Sequence, residues 1–248
     1  MIYVMSDIHG NSRRFDSIMA QINLQPEDTL YVLGDVIDRY PDGIRILRRI
    51  MAMPNVKMLL GNHEYMVLHA LGRPYDTYEK LSDMQRAEVT RVWYRSGGRV
   101  THQYWQHIRK DTRDEIIQYL LSLPLNYDVE VGGIHYKLAH AAPVEEFEHH
   151  AKQYPTPTQF ATFKKWEVDD EQHGDYTLVF GHIHTNHYQR NNPMEVWHGD
   201  HRIGIDCGCG LPEDAGSFYG IQGRLACLRL DDGKVFYSDE PNVLQHEV

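Results

Sequence analysis

Short apolar runs that end in Asp, His or Asn recur along the 248-residue chain. MIYVMSDIHG carries Asp7 and His9 behind IYVM, LYVLGDVIDR carries Asp35, Asp38 and Arg39 behind LYVL, and VKMLLGNHE carries Asn62 and His63 behind VKMLL. Further on, HYKLAHAAP places His140 behind YKLA, and YTLVFGHIHT places His182 and His184 behind TLVF. Taken singly, GNHE has an ordinary reading in which Gly61 and Asn62 open a turn and His63 and Glu64 start a helix. Five runs with one grammar point elsewhere. Carboxylate, imidazole and amide oxygen without a thiolate suit manganese, iron or zinc in a hydrolytic centre. Two ions need a bridge, and Asp35 is the candidate, because its strand is expected between the one ending in Asp7 and the one ending in Asn62.

The elements that must hold these residues follow from periodicity. Strands are expected near 2–6, 29–33 and 56–60, with helices near 12–22 and 42–52 between them, which makes a parallel βαβαβ unit. Ligands at the carboxyl ends of parallel strands share one edge. From 64 to about 123 the pattern turns helical, so the chain reads as a single domain, 1–248, with a helical insert at about 64–128 beside the site. Strands return in a hairpin turning at Gly132-Gly133, near 177–182, in HRIGIDCG, and in a second hairpin turning at Asp232-Gly233. The stretch 143–175 lacks a clear period and is expected as a long loop with a short helix.

Composition narrows the function classes. A net charge of -10 argues against a dedicated nucleic-acid surface, which needs clustered Lys and Arg. No apolar run approaches a membrane span, and because the first residues read as a strand no secretory signal is expected. Three cysteines, two of them Cys207 and Cys209, make no disulfide framework and fit a reducing compartment, so a cytoplasmic location is expected. Most of the 16 histidines are scattered, and His149, His150, His173 and His246 lie in polar stretches that need no function.

In order, DIHG at 7–10, GDVIDR at 34–39, GNHE at 61–64, His140-Ala141 and GHIH at 181–184 resemble the calcineurin-like metallophosphoesterases. GDVIDR together with GNHE is similar to the phosphoprotein phosphatase group, including its bacterial and phage members and the symmetrical diadenosine tetraphosphate hydrolases. The ending IDCGCG…GRLACLRL is also similar to that group's. The fold class this implies is α/β, with two mixed β-sheets packed face to face and helices outside.

Carried over to this chain, the resemblance implies Asp7 and His9 on a first metal, Asp35 between the metals, and Asn62, His140 and His182 on a second. A water activated between the two ions then attacks phosphorus in line. His63 is implied as the general acid that protonates the leaving oxygen, oriented by Asp38, and Arg39 as the guanidinium that grips phosphate. Glu64 is expected to support the helix start rather than to bind metal.

Three departures from the group stand out. Tyr40 follows Arg39 where Gly is common, so an aromatic ring is expected beside the phosphate. No Arg occurs from His140 through Gln189 to supply a second phosphate-binding cation, which leaves Lys164 or Lys165 as substitutes or as a solvated charge pair. His184, the second imidazole of GHIH, is available as an extra ligand of the first metal, the alternative being a place behind the ligands or at the surface.

The expected cofactors are two divalent ions, manganese first, with iron or zinc as alternatives. A phosphomonoesterase resembling the serine/threonine phosphatases is the first expectation for function, since only Arg39 and one lysine stand near the ligands to meet further phosphates. Hydrolysis of a dinucleoside polyphosphate such as diadenosine tetraphosphate is the alternative. A binding module that keeps the fold without turnover is the rival from another class. Against it, every ligand and the His63 and Asp38 pair are retained, where a retired site need keep only packing.

Overall fold

The computed structural model describes residues 1–76, 81–150, 152–212 and 222–238. Strand and helix alternate at the start: β1 (Ile2–Met5), α1 (Ser12–Ile22), β2 (Thr29–Val32), α2 (Gly43–Met51) and β3 (Val56–Met58). Four helices follow, α3 (Asn62–Ala70), α4 (Asp83–Arg95), α5 (Arg99–His107) and α6 (Lys110–Ser122). Then come β4 (Asn126–Val131), β5 (Ile134–Ala139), the short helices α7 (Phe147–His150) and α8 (Pro157–Phe163), and β6 (Thr177–Phe180). The last strands are β7 (Trp197–Gly199), β8 (Arg202–Gly204), β9 (Ala226–Arg229) and β10 (Val235–Tyr237).

These strands form two mixed sheets, in the orders β10-β9-β1-β2-β3 and β4-β5-β6-β8-β7. In the first, β1, β2 and β3 are parallel, and β2 lies between its neighbours as the ligand order requires. In the second, β5, β6 and β8 are parallel. Side chains alternate across each strand, and the layers follow from that period of two. Val4, Tyr31 and Leu33 of the first sheet meet Leu138 and Val179 of the second in one apolar layer. Their sequence neighbours Met5, Leu30 and Val32 face outward onto α1, α2 and α3. Ala139, Leu178 and Phe180 face the other way, onto Phe160 of α8 and onto Trp166. The result is helices outside two packed sheets, as expected.

Two hairpins turn where the glycines stand. Gly132 and Gly133 adopt φ of 60° and 80° between β4 and β5, a turn that side chains would strain. The stretch 143–175 holds more helix than the expected one short piece, namely a single turn at Val144–Glu146, then α7 and α8. Thr156 caps α8 by accepting from the Gln159 N–H at 3.1 Å, and Pro157 takes its first position, a start signal present in the sequence. Strand β7 was not expected; it pairs with β8 through a turn in which His201 is left-handed at φ 50°. Among the described residues no helix is long and apolar enough to cross a membrane. Cys207, Cys209 and Cys227 are buried free thiols, and Cys209 packs with its sulfur 3.3 Å from the Ile8 carbonyl.

Candidate metal centre

The ligand-bearing turns leave both sheets at their carboxyl ends. Asp7, Asp35 and Asn62 follow β1, β2 and β3, while His140 and His182 follow β5 and β6. Five ends therefore meet across the sandwich, three from one sheet and two from the other. To turn side chains inward so soon after a strand, the backbone goes left-handed at Asp7 (φ 56°), His9 (50°), Asp35 (53°), Asp38 (73°), Arg39 (65°) and His182 (65°). Asp and His tolerate that region better than β-branched residues, and the surroundings hold it in place. His9 N–H donates to the Asp35 carbonyl at 2.9 Å and Gly10 N–H to the Val36 carbonyl at 2.8 Å. Glu64 is buried and accepts from the N–H groups of Asp35 (2.8 Å), Val36 (2.9 Å) and Gly61 (3.2 Å), so it ties down the turn that carries Asp35. Gly61 has no room for a side chain, since a Cβ there would strike the Asp35 carboxylate.

Two groups of donors result. His9, Asp35 and His63 offer ligand atoms within 4.8 Å of one another, and so do Asp35, His140 and His182. Asp35 belongs to both: its Oδ2 lies 3.7 Å from His9 Nε2, and its Oδ1 lies 3.6 Å from His140 Nε2. Asp7 joins the first group with Oδ1 3.8 Å from His9 Nε2. Asn62 joins the second, with Oδ1 2.9 Å from His140 Nε2 and 3.0 Å from His182 Nδ1.

The protonation pattern of these groups calls for cations. His140 Nδ1 is 2.7 Å from the Leu33 carbonyl and His9 Nδ1 is 3.2 Å from the Ile37 carbonyl, so each Nδ1 carries a proton and donates it. Burial, helped by the charge of Arg39, holds His9 well below its ordinary pKa, so its Nε2 presents a bare lone pair to two carboxylates. His140 Nε2 likewise faces the oxygen of Asn62 and a carboxylate oxygen of Asp35. Lone pairs aimed at oxygens repel unless a positive charge lies between them. Burial, reinforced by the charges of Asp7 and Glu64, also pushes the Asp35 carboxyl well above the usual range, and burial lowers His182 to about 3. These residues thus fit divalent cations, which the two donor groups would hold, with Asp35 common to both.

Beside the ligands, His63 Nδ1 stands 2.6 Å from Asp38 Oδ2, and both side chains are buried. Burial opposes a charge on His63, but Asp35 and Asp38 outweigh it and raise the imidazole above its ordinary pKa. Arg39 lies at the mouth, exposed, between two cavities. One, of about 680 Å³, is lined by Arg39, Tyr40, Arg95, Gly97, Leu211 and Pro212 among others; the other, of about 310 Å³, by Arg39, His182, His184, Asn186 and His187 among others. Tyr40 lines the larger cavity together with Arg39, its hydroxyl donating to the Leu211 carbonyl at 2.7 Å. Lys164 and Lys165 form ion pairs with Asp170 (2.7 Å) and Glu167 (3.2 Å), the charge-pair alternative. His184 lies outside both donor groups, half-buried, with Nε2 3.8 Å from Asp206 Oδ2.

Three residues at the site were missed. Asp206 is buried, and burial together with Asp7 raises its carboxyl to about 6. Its signal was legible, for RIGI followed by Asp repeats the grammar of the other strand ends. Trp93 and Arg95 come from α4, where no motif marks them.

Comparison with known proteins accords with this geometry. A family model for calcineurin-like phosphoesterases matches residues 1–204. The chain is 32% identical over 148 residues to a symmetrical bis(5'-nucleosyl)-tetraphosphatase of Acidovorax sp. (strain JS42), a match that takes in 59% of this chain and spans only 45% of that relative's length. To a protein of the same name from Proteus mirabilis (strain HI4320) it is 23% identical over 282 residues, covering 94% of this chain and 96% of the relative. A solved structure described provisionally as a diadenosine tetraphosphatase superposes with a TM-score of 0.56 at 18% identity, covering 95% of this chain and 91% of that one, a likeness of fold.

Proposed function

The chain belongs to the calcineurin-like phosphoesterases, and we propose that it is a metal-dependent hydrolase of dinucleoside polyphosphates. One observation carries the choice of substrate: Arg95 and Arg39 both line the 680 Å³ cavity, and neither guanidinium forms an ion pair among the described residues. In a chain of net charge -10, two exposed arginines that line one cavity without an ion pair among the described residues mark where an anion goes. The sequence alone offered Arg39 and a lysine, which favoured a monoester. The fold supplies a second guanidinium instead, and phosphates beyond the scissile one need such partners. Tyr40, Leu211 and Pro212 give the same cavity apolar walls suited to a base. The names of the relatives agree with this reading.

Manganese, or iron or zinc, bound by Asp7, His9, Asp35, Asn62, His140 and His182 would supply charge against the phosphate and a water acidified for in-line attack. Arg39 grips the oxygens of the scissile phosphate, and Arg95 those of a distal one. His63, steered by Asp38, hands a proton from its ring to the departing oxygen. A cytoplasmic setting accords with the three reduced thiols.

A second reading, hydrolysis of phosphoserine or phosphothreonine, is favoured by the 2.6 Å contact of His63 with Asp38, since an alkoxide leaving group needs the proton more than a polyphosphate does. Steady-state kinetics with added manganese separates the two. Diadenosine tetraphosphate is expected to show the higher kcat/KM, and Arg95→Ala to lower it by about 10–100-fold with a smaller loss on p-nitrophenyl phosphate. A clear preference for phosphopeptides overturns the first reading in favour of the second.

A further inference from the structure

Asp38 holds His63 through one carboxylate oxygen, and that oxygen takes a second donor. Trp93 Nε1 donates to Asp38 Oδ2 at 2.7 Å, the same atom that faces His63 Nδ1 at 2.6 Å. The other oxygen, Oδ1, is buried and has no hydrogen-bond partner among the described residues. A carboxylate rotates easily about its last torsion, so contact with His63 alone leaves its plane free. A second donor to the same oxygen, from a ring that cannot move, fixes it. Trp93 is 1% exposed, its indole packs near-parallel to His102 at 5.6 Å, and Gly98 leaves it space that a Cβ would fill.

The same segment also grips the backbone at this point. Asp38 N–H donates to Thr101 Oγ1 at 3.0 Å, and Arg39 N–H donates to the Gly97 carbonyl at 3.2 Å. Asp38 and Arg39 are both left-handed, so they need such support to stay where they are. Among the described residues the hydrogen bonds to the Asp38 carboxylate come from His63 and Trp93, while Thr101 accepts its backbone N–H and Tyr40 N–H donates to its carbonyl at 2.8 Å.

We propose that Trp93 is a positioning residue for proton donation: its indole N–H locks the Asp38 carboxylate, which in turn aims the His63 ring at the departing oxygen. The inference rests on the reading of His63 as the acid. No group is transferred by Trp93, whose N–H only donates a hydrogen bond. Its effect must therefore depend on how much the leaving group needs a proton and must vanish without His63.

The test uses the manganese-loaded full chain and two monoesters, phosphoserine and 2,4-dinitrophenyl phosphate, with Trp93→Phe, His63→Asn and the double variant. Trp93→Phe is expected to lower kcat on phosphoserine by about 10–100-fold, with a smaller loss on the dinitrophenyl ester and two ions still bound by elemental analysis. In the His63→Asn background the same change should cost little more. Replacing Trp93 with 3-benzothienylalanine, which keeps the shape and lacks the N–H, must reproduce the result if Trp93→Phe folds poorly. Equal losses on both esters, no loss on either, or an undiminished loss in the His63→Asn background overturns the proposal. If His63→Asn itself shows no dependence on the leaving group, the acid reading fails separately, and the double variant still decides whether Trp93 works through His63.

Discussion

The turns that follow the strands and the helices α4 and α5 both face the centre, but they arrive there by different physics. The turns bring their ligands in through the backbone: six site residues are left-handed, and the N–H groups around Asp35 are held by Glu64. The helices have ordinary geometry, and Trp93, Arg95 and Thr101 count only because their surface docks on the Asp38-Arg39 turn. One half is built in the chain and the other is built by packing. Variants in the first should therefore act on metal and chemistry together, while those in the second should act on aim and substrate choice with the ions in place.

The largest effect is expected where the two donor groups share an atom pair. Asp35 directs one oxygen toward His9 and the other toward His140, so Asp35→Ala would take a donor from both groups at once. Both ions should be lost in elemental analysis, and activity should fall by more than the roughly 10²–10³-fold that removal of one electrostatic donor costs. Retention of two tightly held ions with normal turnover would sink the bridge and, with it, the division between the two regions.

A smaller effect is expected at the seam between the regions. His63 begins α3 next to the ligand Asn62, yet its ring is aimed by Asp38, which the helical segment holds. His63→Asn should lower kcat by roughly 10²–10⁴-fold on esters with alkoxide leaving groups while both ions stay bound. On aryl phosphates the loss should shrink. If ion content falls as well, His63 belongs with the metal-bearing half and the seam lies elsewhere.

What the sequence made legible follows the same line. The strand ends, the helices near 12–22 and 42–52, both hairpins and the place of β2 between its neighbours are local or nearly local patterns, and the structure has them. The ten candidate site residues could be read because each stands one to a few residues past an apolar run. Asp206 obeys that rule too, but it stands beside Cys207 and Cys209, whose residue type points to packing. Arg95 and Trp93 could not be read, since an arginine and a tryptophan on an amphipathic helix look like any solvated charge and any core ring. Only the docking of α4 against the Asp38-Arg39 turn makes the one a cation of the cavity and the other a partner of a buried carboxylate. Arg95 therefore goes uncounted among the cations near the ligands, and the expectation of a monoester rests on that count as well as on the likeness of GDVIDR and GNHE to the phosphoprotein phosphatases.

The smallest expected effect is at His184, which tests how far the metal-bearing half extends. Its ring is half-buried beside Asp206, at 3.8 Å, and it shares the smaller cavity with Arg39 and His182. Burial and Asp7 raise the Asp206 carboxyl to about 6, so a positive charge nearby is favoured, and a cation bound by His184 would provide it. If His184 completes the first metal's shell, His184→Ala should weaken that ion by about tenfold and leave the second unchanged, with titration of the metal-free protein showing one affinity moved and one kept. If both affinities stay the same while KM for diadenosine tetraphosphate rises, His184 instead lines the path of the substrate. The residues that would hold the first metal are then Asp7, His9 and Asp35.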